Sequence, residues 1–262
     1  RTAAILSFGE ERIVYKPRSL DGEFGWNYII EHLEENTFPY NFYLPKMLRY
    51  EDYGYMEFIK DTPCDSKLEV ENCYKKYGAI LAIAHAFGTY DLHHENIMVM
   101  KDSPIVVDAE PLFRCIIDHS EHGENRLKLD KSISLEDIDS KESVIDIGML
   151  PYSLLNQLNE EEGEYYDYVV GALHPFGKDV IKEHVPCGRG SNDLQFLETK
   201  MLAERFPNLP ILDGVPQLPK HFIAHIEEGF KEAHQFLFTN RYKFIHEDKL
   251  FEQLKDLNLR LL

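Results

Sequence analysis

Three separated segments of this chain carry side chains suited to moving a phosphoryl group. Val14-Tyr15-Lys16 puts a lysine at the end of a β-prone run, where its ammonium can hold nucleotide phosphates as a point charge. In Asp91-Leu92-His93-His94-Glu95-Asn96 an asparagine follows an aspartate by five positions. That spacing lets Asp91 orient a hydroxyl while Asn96 turns back toward a metal. Asp108 follows Asn96 by twelve positions at the end of an apolar run, and a carboxylate there is the hard oxygen ligand that magnesium prefers. Glu110, one strand-face repeat further on, points the same way and can join it. Glu31, on the helix after Lys16, can pair with that lysine, with Glu23, Glu34 and Glu35 as competitors.

Each residue also has an ordinary role open to it: strand-end lysines are common on surfaces, aspartates cap turns and histidines fill polar pockets. Their order carries more weight than any one of them, because lysine, then the Asp and Asn pair, then a second aspartate is the sequence of parts in kinase-like sites.

The elements that must position these groups follow from periodicity. Ile5 to Phe8 and Arg12 to Tyr15 flank Gly9-Glu10-Glu11, which predicts a hairpin ending at Lys16. Phe24, Tyr28, Ile29 and Leu33 predict a helix over residues 22 to 35. Met47 to Tyr50 and Tyr53 to Ile59 read as a second strand pair. From Val70 the apolar positions fall on one helical face as far as Phe87, and Gly88 stops the helix. Ile97 to Met100 and Ile105 to Val107 flank a Lys101-Asp102-Ser103-Pro104 turn that delivers Asp108. Asp118 to Ser143 is charged and periodless and reads as a surface loop. The remainder reads as mostly helical, with Val144 to Leu155, an acidic stretch at Glu160 to Glu164, and Pro219 to Phe238, where Pro219 suits a helix start.

Composition narrows the class. Of 262 residues 44% are hydrophobic and 12% aromatic, ample for a core. The formal charge of −18 argues against a nucleic-acid binder, which needs a basic surface. No apolar run approaches the roughly 20 residues of a membrane span, and no signal peptide is visible. Cys64, Cys73, Cys115 and Cys187 lie far apart, so neither a zinc site nor a disulfide framework is indicated, and a reducing, cytoplasmic setting is expected.

Five motifs resemble those of the dehydratase domain of class II (LanM-type) lanthipeptide synthetases. Tyr15-Lys16-Pro17-Arg18 resembles the family's YKPR, and Glu57-Phe58-Ile59 with Pro63-Cys64 its (V/I)EF motif. Tyr74, Lys76, Gly78, Ile80 and Leu81 resemble YxRxGxLL, with lysine where the family usually has arginine. Asp91 to Asn96 resembles DLHxEN, and Asp108-Ala109-Glu110-Pro111-Leu112-Phe113 resembles DxExLF.

The resemblance implies an α+β, atypical protein/lipid-kinase-like two-lobed fold. A small β-rich N-lobe would span residues 1–60, and a larger, mainly helical C-lobe residues 61–262. It implies ATP and Mg2+ as cofactors and a leader-bearing precursor peptide as partner. Serine and threonine would be phosphorylated, then phosphate eliminated to give dehydroalanine or dehydrobutyrine. Lys16, Arg18, Glu31 and Glu57 are expected on the nucleotide side, Asn96, Asp108 and Glu110 at the metal, and Asp91 and His93 at the reacting hydroxyl. Arg260 resembles the arginine that serves elimination, and Arg1 the last residue of an Asp-x-His-x-x-Gly-Arg motif. Both ends are therefore expected to be truncated relative to the family domain, with a cyclase domain beyond.

Two other functions fit part of the pattern. A small-molecule kinase of the aminoglycoside phosphotransferase kind shares the lysine, the Asp and Asn loop and the metal aspartate, but leaves Tyr15-Lys16-Pro17-Arg18 unexplained. A catalytically silent, kinase-like peptide-binding module has no need of Lys16, Asp91, Asn96 and Asp108 together.

Overall fold

The computed structural model describes residues 3–113, 144–154, 168–174, 180–187, 195–202 and 207–259. β1 (Ala4–Phe8) and β2 (Glu11–Lys16) form the expected hairpin, with Gly9 at φ 67° in its turn. β3 (Met47–Arg49) and β4 (Gly54–Glu57) form the second pair, and β4 joins β2 to give one antiparallel sheet of order β1-β2-β4-β3. Directly opposed residues share a face. Tyr15 therefore packs on Tyr55, ring centroids 5.5 Å apart, while Lys16 and its partner Gly54 face the other way. Gly54 is required there, since a Cβ would meet the Leu20 side chain at 2.4 Å.

α1 (Asp21–Glu35) connects the two strand pairs and buries Trp26, Ile29, Ile30 and Leu33 along one stripe. Its first turn is anchored on two sides, because Asp21 accepts hydrogen bonds from Arg49 (2.7 Å) and from the Asn258 amide (2.8 Å).

α2 (Lys67–Ala86) starts at Ser66, whose hydroxyl caps the Glu69 amide. It ends at Gly88, which takes φ 61° as the sequence requires. α3 (Ile223–Tyr242) crosses α2 almost backbone to backbone. A Cβ on Gly78 would sit 2.0 Å from the Ile226 carbonyl oxygen, and one on Gly229 1.9 Å from that of Lys75. α3 is preceded by a 3-10 turn, Pro219–His221, and followed by a π turn, Lys243–Glu247, and α4 (Leu250–Leu254). One continuous apolar cluster runs from Trp26 on α1 through Tyr74, Tyr77 and Ile83 on α2 to Ala233 on α3 and Leu254 on α4.

Two expectations about the second half change. The described residues 144–154 of the expected Val144 to Leu155 helix are not α-helical: Val144–Ile147 is a single 3-10 turn, after which Gly148 takes φ 83° and Pro151 offers no amide. The chain there becomes β7 (Tyr152–Leu154), paired with β8 (Tyr168–Val170). Nor are the described residues between 168 and 216 helical, for β9 (Val180–Cys187) pairs with β10 (Gln195–Leu202), and β11 (Ile211–Leu212) with β12 (Val215–Pro216). Local β propensity in Val180-Ile181 and Val185 outweighed the helical reading. The charged stretch 118–143 and the acidic stretch 160–164 lie outside the described residues.

β5 (Ile97–Met100) and β6 (Ser103–Val106) form a tighter hairpin than expected. Only Lys101 (φ 54°) and Asp102 make the turn, and Pro104 stands within the strand opposite Val99. None of the helices among the described residues is long and apolar enough to cross a membrane.

Candidate active site

The end of β2, the first turn of α1 and the segment after β6 meet at Lys16. Its ammonium is buried and donates to Glu23 Oε1 at 2.7 Å, the Val107 carbonyl at 2.7 Å and Asp108 Oδ2 at 3.2 Å. An ammonium has three protons, so all of its donors are engaged. Glu23 is the carboxylate that meets the lysine, and Glu31, the partner expected from the sequence, is exposed about 12 Å further along α1. The first turn of the helix, rather than its middle, abuts the site. Gly22 lies against the Ala109 carbonyl, where a Cβ would come within 2.3 Å. Of the other competitors, Glu34 accepts from the Phe42 amide at 2.7 Å and Glu35 is exposed.

Arg18 ties the same acids together. Nη1 donates to the Ser19 carbonyl (2.9 Å) and Glu23 Oε2 (3.1 Å), and Nη2 to Glu23 Oε1 (2.6 Å) and Asp108 Oδ1 (2.7 Å). Nε pairs with Glu110. Burial alone would lower the pKa of this guanidinium, but Glu23 first, then Asp108 and Glu110, raise it above its ordinary value. Two cations thus stand among three carboxylates, with Glu23 buried and Asp108 and Glu110 partly open to solvent. Residues 107 to 110 are not a strand, yet Asp108 and Glu110 still converge because both reach the same arginine.

The Asp91 to Asn96 loop closes on this cluster from the other side. The Asn96 carbonyl accepts from the Val107 amide at 2.9 Å and from that of Asp108 at 3.4 Å, while its side-chain amide donates to the Asp91 carbonyl at 2.6 Å. Asp91 has φ 62°. Leu92 holds it in register by donating to the Ile147 carbonyl at 2.8 Å, and Gly148 packs behind it.

His93 Nδ1 accepts from the Glu95 amide at 3.2 Å, so in the neutral ring the proton sits on Nε2, which lies 3.7 Å from Asp91 Oδ1. The Asp91 carboxylate is about half exposed. Its neighbour His94 is buried, and its pKa is pulled down to about 4, chiefly by burial and then by His93 and His174, so it is neutral at pH 7.

Glu57 does not join the cluster. It lies on the Tyr55 face of the sheet, opposite to Lys16, and accepts from the Tyr43 hydroxyl (2.5 Å) and the Lys46 amide (3.1 Å). Those bonds fix the entry to β3 and raise the pKa of Tyr43, mainly through the hydrogen bond. Arg260 and Arg1 lie outside the described residues. Glu23, in the sequence only a competitor to Glu31, and Gly148, which the sequence did not single out, are positioning residues. Gly22, next to Glu23, is the signal that this turn is approached by backbone.

Among the described residues no three His, Cys, Asp or Glu side chains gather into a group that could hold a metal by themselves. Two adjoining, partly exposed carboxylates nonetheless fit magnesium, which is commonly held by one or two carboxylates plus substrate phosphates. Asp108 and Glu110 would hold it here.

The family model described as "Domain of unknown function (DUF4135)" matches residues 1–262. The chain is also similar to the "Lacticin 481/lactococcin biosynthesis protein LcnDR2" of Lactococcus lactis subsp. lactis, with 22% identity over 266 residues, 92% of this chain and 26% of the relative. It therefore spans about a quarter of that relative's length.

Proposed function

Because this chain belongs to the DUF4135 family and is related to class II lanthipeptide synthetases, we propose that it serves lantibiotic biosynthesis as the core of an ATP-dependent peptide dehydratase. In this reading the fold is a kinase-like, two-lobed one. One observation carries the proposal: Lys16, Glu23 and Asp108 converge from three elements, and the Asp91 to Asn96 loop is bonded onto Asp108 through the Asn96 carbonyl.

In the first half-reaction a serine or threonine hydroxyl attacks the γ-phosphorus of ATP, an O–P bond forms, and the bond to the β-phosphate bridging oxygen breaks. Asp91, exposed and backed by His93, orients the hydroxyl, accepts its hydrogen bond and takes its proton as the O–P bond forms. Lys16 stands where its ammonium can reach phosphate oxygens beside Asp108, and Glu23 keeps it pointed there. A magnesium ion, when bound, supplies charge neutralisation for the phosphates. In the second half-reaction the Cα proton is removed, its electron pair forms the Cα=Cβ bond, and the Cβ–O pair leaves with phosphate. Arg260 is the residue we assign to that departing charge.

The test is mass spectrometry of a leader-bearing precursor peptide after incubation with the chain, ATP and Mg2+. A dehydratase removes the mass of one water per modified site. Phosphorylation of an aminoglycoside with the peptide untouched would replace this reading with a small-molecule kinase, and no ATP-dependent change in either would replace it with a binding module.

A further inference from the structure

Asp108, the carboxylate best placed to take a divalent cation, already has a cationic donor on each oxygen: Arg18 Nη2 on Oδ1 at 2.7 Å and Lys16 Nζ on Oδ2 at 3.2 Å. The two contacts differ in kind. Lys16 has two shorter bonds elsewhere, to Glu23 and Val107, so it gives up Asp108 readily. Arg18 is locked from behind by two bonds to the buried Glu23 and one to the Ser19 carbonyl, and it reaches forward to Asp108 and Glu110 together. A guanidinium has five N–H donors in a planar fork, and all five are matched. No donor is left over to bind a phosphate directly.

We propose that Arg18 is a positioning residue, an internal counter-cation that holds Asp108 and Glu110 side by side and competes with a divalent cation for the Asp108 carboxylate. This deepens the reading of the site as a metal and nucleotide site and rests on it. With Arg18 present the five charged side chains sum to −1, two cations against three carboxylates; without it they sum to −2. Metal alone is thus held off, and it is accepted once phosphate oxygens complete its shell.

The experiment titrates Mn2+ without nucleotide into wild type, Arg18→Gln and Arg18→Lys, followed by the loss of the free-ion paramagnetic resonance signal. Arg18→Gln should bind Mn2+ roughly ten-fold more tightly than wild type, the scale of removing one like charge beside the ion in a partly solvated site. Arg18→Lys keeps the charge but has three donors for five acceptors, so its affinity should fall between the two. Peptide phosphorylation should drop in both, since the carboxylates lose their alignment. Should the glutamine variant fail to fold, the lysine variant carries the comparison. Equal Mn2+ affinity in the folded variants and wild type would overturn the competition, while leaving the site reading intact if Asp108→Asn still abolishes transfer. Tight Mn2+ binding that survives in Arg18→Gln/Asp108→Asn would instead remove the metal from Asp108, and the site reading would fall with it.

Discussion

Lys16 and Glu23 are seven residues apart on different elements, and their charged atoms meet at 2.7 Å in a buried setting. With Glu23 neutral, Lys16 keeps Asp108 and the Val107 carbonyl but loses its shortest charged partner. Glu23→Gln should therefore lower stability, by less than the roughly 3–5 kcal/mol of a buried charge left with no partner, and slow phosphorylation, as read by urea denaturation and phosphopeptide yield. Glu31→Gln, on the exposed side of α1, should leave both unchanged. Equal effects of the two substitutions would count against Glu23.

Asp108→Asn keeps the shape of the side chain and removes its charge. Phosphoryl transfer should fall by at least about two orders of magnitude, the cost of losing one strong electrostatic contact at the reacting group. The fold should persist because the side chain is partly exposed. ATP turnover and far-ultraviolet circular dichroism measured together separate the two effects.

Gly78 and Gly229 allow α2 and α3 to cross at backbone distance. Either glycine changed to alanine should destabilise the chain by about 2 kcal/mol through overpacking. The double substitution should cost clearly less than the sum, since the helices need to part only once. Strict additivity in a double-mutant cycle would show that the two glycines act separately.

His94 gives a pH signature. Its pKa in the folded chain is about 4 against an ordinary 6.5, so the unfolded chain takes up the proton first. Stability should fall as pH drops from about 6.5 toward 4, by on the order of 1–3 kcal/mol from this group. Denaturation at pH 7, 6 and 5 should show this slope in the wild type and not in His94→Gln, a comparison made above the range where most carboxylates titrate.

Local patterns carried the first 113 residues well. Alternation located both hairpins of the four-stranded sheet, helical spacing located α1 and α2, and Gly88 marked the helix end. The order of lysine, the Asp and Asn pair and aspartate picked out residues that the fold brings into contact. The failures are of one kind, in which tertiary approach decides. Spacing could not tell Glu23 from Glu31, because the choice depends on the end of α1 meeting the Ala109 backbone. Nor could it foresee that Glu57 faces away from Lys16, which follows from the register of β4 against β2. After residue 144 short apolar runs looked helical, whereas Gly148 and Pro151 break the first of them.

The chain contains a single tryptophan, and it is Trp26, buried on α1 one turn beyond Glu23. The helix that orients Lys16 thus carries the only indole chromophore in the molecule. A nucleotide or metal that draws Lys16 off Asp108 and, through Glu23, shifts this helix will alter the packing around that one ring. Intrinsic emission then reads the state of the site without a label, and its amplitude in Glu23→Gln shows how much of the signal passes through that carboxylate.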